Sequence, residues 1–230
     1  MRICGLQKLS MVDYPGKLAA TVFTGGCNLR CPFCHNAPLV LRVAETPELP
    51  VDEVLTFLRS RKGLLDGVVL SGGEPLLQSG AADFLQKVRD LGYAVKVDTN
   101  GCYPQALAEI LDRRLADYVA MDLKNSREKY AATCGLAALD LAPIDESLRL
   151  LRRSGVDFEL RTTLVKELHA PADMEAIGKW VGDVPHYYLQ NFVDSGNLIG
   201  SGFSAFERPE LDEMAAVLRR YVTNVALRGV

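Results

Sequence analysis

Three closely spaced cysteines give the clearest indication of chemistry in this sequence. Cys27, Cys31 and Cys34 form a Cys-x3-Cys-x2-Cys run that continues into His35. Thiolates bind iron-sulfur clusters, zinc or monovalent copper, and a closed structural site normally takes four protein ligands. A trio therefore leaves one coordination position open. The spacing favours an iron-sulfur cluster with one open iron; the alternatives are a zinc site completed by His35, a disulfide framework and coincidence.

The other cysteines indicate a chain that stays reduced. Cys4, Cys102 and Cys134 stand apart from the trio and from one another. Disulfide frameworks belong to oxidising compartments, and this uneven spacing does not suggest one. We interpret the three as small buried or idle thiols. Cys102 is of most interest, because it follows the Asn100-Gly101 turn at the predicted end of a strand, where cofactors bind.

Composition argues against several classes of function. The 230 residues are 48% hydrophobic and 24% charged, and the net charge of −3 comes without a block of Lys or Arg, so nucleic-acid binding is not expected. No apolar run approaches the roughly 20 residues that span a bilayer, and the first residues lack the apolar stretch of a secretory signal. We expect a cytoplasmic protein that does not enter membranes.

Short β-branched runs alternate with amphipathic stretches, which predicts a parallel sheet with helices outside. We expect one domain over residues 1–230, with a leading segment at 1–17 and a partner-facing or substrate-facing loop at 193–208. Strands are predicted at Ala19–Thr24, Val68–Ser71, Ala94–Asp98, Tyr118–Asp122, Phe158–Thr163 and Tyr187–Phe192. Helices are predicted at Val51–Arg61, Ala81–Leu91, Pro104–Arg114, Ile144–Arg153, Pro171–Val181 and Pro209–Val225.

About six βα units leave a choice between a doubly wound open sheet and an incomplete parallel barrel. The cysteine trio follows the first predicted strand and Gly72-Gly73-Glu74-Pro75 follows the second. Asp98-Thr99-Asn100-Gly101 follows the third strand, and Asp122-Leu123-Lys124 ends the fourth. Chemistry at the carboxyl ends of successive strands favours the barrel. The predicted fold is therefore α/β, a partial (β/α)6 parallel barrel.

These motifs together resemble the radical S-adenosylmethionine (radical SAM) superfamily, over nearly the whole chain. The resemblance rests on the cysteine loop, on Phe33 before its last cysteine and on the Gly-Gly-Glu-Pro motif. Within the superfamily, the chain looks like a glycyl-radical-enzyme activase. Its opening segment, Asp13–Lys17, resembles anaerobic ribonucleoside-triphosphate reductase activating proteins. The further motifs that carry this likeness are Cys34-His35-Asn36, Asp98-Thr99-Asn100-Gly101 and Met121-Asp122-Leu123-Lys124.

The resemblance implies that Cys27, Cys31 and Cys34 hold a 4Fe-4S cluster. The amino and carboxylate groups of S-adenosylmethionine would chelate its open iron. One electron from the reduced cluster would cleave this cofactor to methionine and a 5'-deoxyadenosyl radical. No ferredoxin-like insert rich in Cys-x2-Cys follows Asn36, so the electron is expected from an external flavodoxin or ferredoxin.

The resemblance also assigns cofactor contacts beyond the cluster. Gly72 and Gly73 would allow the methionine moiety to approach the backbone, Pro75 would stiffen the turn, and Glu74 would contact the ammonium or brace the loop. Phe33 would pack on the adenine. The alternatives are an ordinary glycine-proline turn and a core phenylalanine.

Polar residues at the ends of later strands complete the predicted site. Asp98, Thr99 and Asp122 would bind a monovalent cation beside the methionine carboxylate, and Lys124 and Arg161 would meet the ribose or carboxylate. Asn100 joins the predicted cofactor-binding residues as part of the motif after the third strand. Turn-capping aspartates and solvated charges at the rim are the alternatives.

The resemblance implies a protein substrate, the glycine loop of an anaerobic ribonucleotide reductase. A six-stranded barrel is open at the side and would admit such a loop, and residues 193–208 could cover the opening or grip the partner. An activase of the pyruvate formate-lyase type is one alternative, although Leu189-Gln190-Asn191-Phe192 departs from its His-containing segment. A radical enzyme acting on a small molecule is another, and a metal-binding module without catalysis is the third.

Overall fold

The structure is a computed structural model that describes residues 1–229. Strands and helices alternate along the chain, and the eight strands follow one another in the sheet in chain order. The strands are β1 Ile3–Ser10, β2 Ala19–Thr24, β3 Gly67–Gly72, β4 Ala94–Thr99, β5 Tyr118–Asp122, β6 Asp157–Leu164, β7 Tyr187–Asn191 and β8 Val225–Arg228. The helices are α1 Ala37–Leu41, α2 Val51–Ser60, α3 Ala81–Asp90, α4 Pro104–Asp112, α5 Tyr130–Thr133, α6 Ala142–Ser154, α7 Pro171–Val181 and α8 Arg208–Leu218.

The chain forms two compact units. One boundary between them falls between Asn28 and Leu29, so Cys27 belongs to the first unit while Cys31 and Cys34 belong to the second. The first unit comprises Met1–Asn28, Pro38–Ala120 and Ala142–Asp157. The second unit comprises Leu29–Ala37, Met121–Leu141 and the described residues from Phe158 onward.

The first unit contains strands β1 to β4. Strand β1 pairs antiparallel with β2, whereas β2, β3 and β4 pair in parallel, with Ala19 beside Gly67. Strands β2 and β3 are buried along nearly their whole length, as parallel strands covered on both faces are. Tyr14 packs against Ala19 and Val69, and its hydroxyl donates to the Val95 carbonyl at 3.4 Å. The carboxyl ends of β2, β3 and β4 therefore share one edge of this sheet.

The second unit contains the parallel strands β6, β7 and β8. Leu160 lies beside Tyr187, and Tyr187 lies beside Val225. Glu159 is fully buried, and Arg228 donates to its two carboxylate oxygens at 2.6 and 2.9 Å, which fixes β8 at the edge of the sheet. None of the described helices combines the length and the apolar character that a bilayer crossing requires.

The six predicted strands are confirmed to within one residue at each end, but the sheet has two more. Strand β1 lies in the predicted leading segment 1–17, where its antiparallel pairing with β2 stabilises it. The predicted last helix, Pro209–Val225, was too long, because α8 ends at Leu218 and the chain then forms β8. The Thr223 N–H donates to Asp183 at 2.8 Å in this turn, after which Val225 pairs with β7. The other five predicted helices agree to within two residues.

Candidate functional site

Two glycines at the end of β3 allow a very close approach to the segment that leads into Cys27. Gly72 has a φ of +120°, and a Cβ there would lie 2.2 Å from the Thr24 nitrogen. A Cβ on Gly73 would lie 2.0 Å from the Gly26 carbonyl oxygen. The Gly73 N–H also donates to the Thr24 carbonyl at 2.9 Å. The glycine pair therefore serves the packing of two backbone segments, because any side chain would force them apart.

Glu74 is a buried carboxylate that holds two loops together. The residue is 1% exposed. Its Oε1 accepts hydrogen bonds from the Leu76 N–H at 3.0 Å and the Thr99 hydroxyl at 2.8 Å, and its Oε2 accepts one from the Asn100 N–H at 2.7 Å. Pro75 begins the short 3-10 turn that follows. Of the two roles that the sequence left open for Glu74, this geometry favours bracing of the loop.

Asn100 links this brace to the first cysteine. Its side-chain amide lies 3.8 Å from Cys27 Sγ and donates to Asn28 Oδ1 at 2.8 Å. Its Oδ1 accepts the Cys102 N–H at 3.0 Å, which closes the turn that the sequence predicts. The sequence motif marked Asn100 as a cofactor-binding residue, and only the structure shows its contact with a cysteine sulfur.

The first-unit residues of the predicted cation site already have protein partners. Asp98 accepts a hydrogen bond from the Ser71 hydroxyl at 3.0 Å and forms an ion pair with Lys96. The Lys96 side chain is only 2% exposed. Lys96 was not among the predicted site residues, although a lysine in the middle of the otherwise apolar run Ala-Val-Lys-Val is an unusual signal. A fixed positive charge therefore lies beside Asp98.

In the second unit, the predicted residues Asp122, Lys124 and Arg161 form one charged group. Arg161 Nε donates to Asp122 Oδ1 at 2.8 Å, and Lys124 Nζ donates to Oδ2 at 3.0 Å. Burial alone would raise the pKa of Asp122, but the charges of Arg161 and Lys124 outweigh it and lower this pKa to about 2. Burial alone would likewise lower the pKa of Lys124, but Asp122 and Cys31 raise it. The three side chains are therefore all charged at neutral pH.

The second and third cysteines of the trio lie in the second unit, in a largely buried segment. A hydrogen bond from the Cys134 thiol to Cys31 lowers the pKa of Cys31, against the opposing effect of burial. Burial raises the pKa of Cys34. Phe33 is buried between these cysteines. The Cys134 carbonyl also accepts the Arg30 N–H at 2.9 Å. Cys134 is buried as predicted, but it is not idle, because it touches a member of the trio.

The segment after β7 contacts the cysteine loop within the second unit. The Gly200 N–H donates to the Pro32 carbonyl at 2.7 Å. His35, the proposed fourth ligand of the zinc alternative, stacks on Phe192 with ring centroids 5.9 Å apart, and burial lowers its pKa. Part of the predicted loop 193–208 is therefore bonded to the backbone between Cys31 and Cys34.

The residues present fit a cluster held by cysteine. Within residues 1–229, no three His, Cys, Asp or Glu side chains converge on a position for one metal ion. A 4Fe-4S cluster makes a different demand, because each thiolate binds its own iron. Soft thiolates with hydrogen-bond donors beside them are the donor set that such a cluster takes. Here the Asn100 amide lies beside Cys27 and the Cys134 thiol lies beside Cys31.

Comparison with known proteins gives consistent results. Residues 21–175 match the radical SAM superfamily. A Methanocaldococcus jannaschii protein that bears the name of a glycyl-radical enzyme activating enzyme is 32% identical over 238 residues, which cover 99% of this chain and 96% of that protein. The pyruvate formate-lyase-activating enzyme of Clostridium pasteurianum is 32% identical over 173 residues, 73% of this chain and 70% of that enzyme.

A solved structure confirms the fold. The crystal structure of a domain of a pyruvate formate-lyase-activating enzyme from Bacteroides vulgatus superimposes with a TM-score of 0.58 at 17% identity. The superposition covers 71% of this chain and 99% of that domain. The predicted partial barrel of the radical SAM type is thus confirmed as the fold class.

Proposed function

Because the chain belongs to the radical SAM superfamily, as an enzyme of the glycyl-radical activase family, we propose that it generates a glycyl radical on anaerobic ribonucleoside-triphosphate reductase. Radical SAM enzymes bind a 4Fe-4S cluster and S-adenosylmethionine. When bound and given one electron by an external donor, these groups would supply a 5'-deoxyadenosyl radical with release of methionine, and this radical would take a hydrogen atom from a glycine Cα of the partner. The observation that carries the proposal is the Cys-x3-Cys-x2-Cys loop in a chain similar to an activating enzyme along 99% of its length.

Three cysteines of this chain would hold the cluster. Cys27, Cys31 and Cys34 supply the thiolates, and the low pKa of Cys31 favours the thiolate form that binds iron. Asn100 and Cys134 lie beside two of these sulfurs and would orient them. In metal sites generally, residues that hydrogen-bond to the ligands hold those ligands in orientation.

We assign the recognition of S-adenosylmethionine to residues of two sequence motifs, Gly72–Pro75 and Asp122–Lys124. In the first, Glu74 holds the Gly72–Pro75 turn in place, so that its backbone can receive the methionine ammonium. In the second, Asp122 fixes Lys124 and Arg161, which would bind the carboxylate or the ribose hydroxyls. Phe33 would pack on the adenine.

A monovalent cation bound by Asp98, Thr99 and Asp122 stays a prediction. The Lys96 ammonium already forms an ion pair with Asp98, so a bound cation would be a second positive charge beside this carboxylate. The affinity for S-adenosylmethionine in potassium, sodium and tetramethylammonium buffers tests this prediction. A dependence on potassium or sodium supports the cation, and equal affinities in all three buffers contradict it.

The partner is proposed to be a protein in the cytoplasm, and the electron donor an external flavodoxin or ferredoxin. Residues 193–208 suit contact with the partner, because Val193 is exposed and Gly200 is bonded to the backbone of the cysteine loop. The likeness of Asp13–Lys17 to reductase-activating proteins supports the choice of ribonucleotide reductase. This segment packs into the first unit through Tyr14.

A second candidate function is activation of a pyruvate formate-lyase. The observation that favours it is the 32% identity to the Clostridium pasteurianum enzyme over 73% of this chain. The chemistry and the cofactors would be the same, and only the glycine loop of the partner would differ.

An EPR experiment under anaerobic conditions tests the proposal. Reconstituted protein, S-adenosylmethionine and a low-potential reductant are mixed with ribonucleotide reductase or, separately, with pyruvate formate-lyase. We expect a glycyl doublet on the reductase, with methionine and 5'-deoxyadenosine formed alongside. A doublet on pyruvate formate-lyase alone would favour the second candidate. Cleavage that depends on an added small molecule would point to a small-molecule enzyme, and no cleavage at all would contradict the activity.

A further inference from the structure

We infer that Asn100 is a positioning residue that sets the reduction potential of the cluster, through a hydrogen bond from its side-chain amide to Cys27 Sγ. The inference rests on the proposed function, because it needs the cluster to be bound by Cys27. It concerns how readily the cluster accepts its electron, and the proposed activity does not determine this property.

The geometry holds the Asn100 amide in one orientation. Its Oδ1 accepts the Cys102 N–H at 3.0 Å, so its NH2 group must be on the other side, 3.8 Å from Cys27 Sγ. The same NH2 group donates to Asn28 Oδ1 at 2.8 Å. An amide nitrogen carries two hydrogens, so one can point at the oxygen and the other at the sulfur.

Glu74 fixes the backbone from which this amide projects. Its Oε2 accepts the Asn100 N–H at 2.7 Å, and its Oε1 accepts the hydroxyl of the preceding residue, Thr99, at 2.8 Å. Asn100 itself is only 5% exposed, so little water competes for its hydrogens. The acidic residue of the Gly-Gly-Glu-Pro motif therefore acts on Cys27 indirectly, by placing Asn100.

The effect on reduction follows from charge. An electron added to a cluster increases the negative charge that the thiolate sulfurs share. A hydrogen-bond donor stabilises the more negative state more strongly, which raises the reduction potential. Removal of the Asn100 amide should therefore make the cluster harder to reduce, without removing an iron ligand.

The test uses the full chain with a reconstituted cluster and no S-adenosylmethionine. Midpoint potentials are measured by EPR-monitored redox titration of the wild type, Asn100→Ala and Asn100→Asp, with iron and sulfide quantified for each. Asn100→Ala removes the donor. Asn100→Asp also removes it but keeps an oxygen for the Cys102 N–H, so it preserves the turn if the alanine variant fails to hold a cluster. We expect Asn100→Ala to reduce the equilibrium constant for one-electron reduction by about tenfold, a negative shift of about 59 mV. Asn100→Asp should shift the potential further in the same direction, because its carboxylate also adds a negative charge beside the cluster.

Gln78→Ala is the matched control. The Gln78 amide belongs to the same unit, but it donates to the Gly25 carbonyl at 2.6 Å and not to a sulfur, so its loss should leave the potential unchanged. Equal potentials in the wild type and in every Asn100 variant that holds a cluster would overturn the inference, as would an equal shift in Gln78→Ala. A wild type that binds no 4Fe-4S cluster would instead contradict the proposed function, so the two failures are distinguishable.

Discussion

Glu74 in the first unit and Asp122 in the second are both carboxylates near the carboxyl end of a strand, yet their surroundings differ. Glu74 is 1% exposed, and its partners are two backbone N–H groups and a hydroxyl. The Asp122 side chain is 31% exposed, and its partners are the cations Lys124 and Arg161. One carboxylate is part of the framework of a loop, whereas the other holds charged groups that a ligand can reach.

This difference indicates that an acidic residue in a motif can serve the framework of a loop. Three uncharged donors bind Glu74, and its replacement should act on stability and on the placement of Asn100. The group around Asp122 keeps full charges in a partly exposed position, and changes there should act on ligand affinity.

Gly73→Ala should strongly destabilise the first unit. Its Cβ would lie 2.0 Å from the Gly26 carbonyl oxygen, so the two backbone segments must separate. We expect a loss of about 3 kcal/mol in the free energy of unfolding, measured by urea denaturation of the cluster-free protein. Gly5→Ala is the control, because its Cβ would meet Phe23 at an ordinary 3.5 Å. Equal stability of the two variants would disprove the close packing.

Glu74→Ala should cost more stability than Asp122→Asn. The first change leaves the Thr99 hydroxyl and the N–H groups of Leu76 and Asn100 without their carboxylate in a buried position, at a cost of about 2 kcal/mol. The second keeps a polar side chain in a partly exposed position and should cost about 1 kcal/mol. Urea denaturation of both variants measures which of them loses more stability. A larger loss in Asp122→Asn would refute the contrast between the two carboxylates.

Arg161→Met should weaken S-adenosylmethionine binding by about tenfold, because a charge-assisted hydrogen bond to the ligand is lost. Isothermal titration of the cluster-loaded protein measures this affinity. Arg161→Lys should recover part of it, because the charge remains while the planar fork is lost. Arg113→Met is the control at a more exposed arginine, paired with Glu109 on α4. An unchanged affinity in Arg161→Met would remove this residue from the binding site.

Mild acid should destabilise the protein slightly through His169. Its Nδ1 accepts the Val165 N–H at 3.1 Å and its Nε2 lies 2.9 Å from the Lys124 carbonyl, and burial lowers its pKa. The unfolded chain therefore binds a proton more readily than the folded one as the pH falls through about 6.5, and stability decreases. Urea midpoints at pH 7.5 and 5.5 should differ less in His169→Gln than in the wild type. An identical pH dependence would exclude this contribution.

Local sequence was enough to predict most of the fold. Strands such as Ala19–Thr24 are apolar runs with turn residues at both ends. Helix α7 begins at Pro171, as its sequence indicates. Strands β1 and β8 were missed because each depends on a partner strand elsewhere in the chain. In β8, Arg228 is held by Glu159, which lies 69 residues earlier. No local pattern carries that information.

The candidate site was likewise predicted in part, because some of its contacts are local in sequence and others are not. Spacing alone identified Cys27, Cys31 and Cys34, because a ligand trio within eight residues is a local signal. The contacts of Asn100 with Cys27 and of Cys134 with Cys31 join residues that lie far apart in sequence. Lys96 could have been noticed as a charge in an apolar strand, but its pairing with Asp98 required the structure.

We propose that the cysteine trio holds a 4Fe-4S cluster with one iron open to S-adenosylmethionine. The test is low-temperature EPR of the anaerobically reconstituted and reduced protein, before and after addition of S-adenosylmethionine. We expect the signal of a reduced 4Fe-4S cluster in the wild type, a change in its g values when S-adenosylmethionine binds, and no such signal in the triple Cys27→Ala, Cys31→Ala, Cys34→Ala variant. A cluster signal that persists in the triple variant, or one that S-adenosylmethionine leaves unchanged, would contradict the claim.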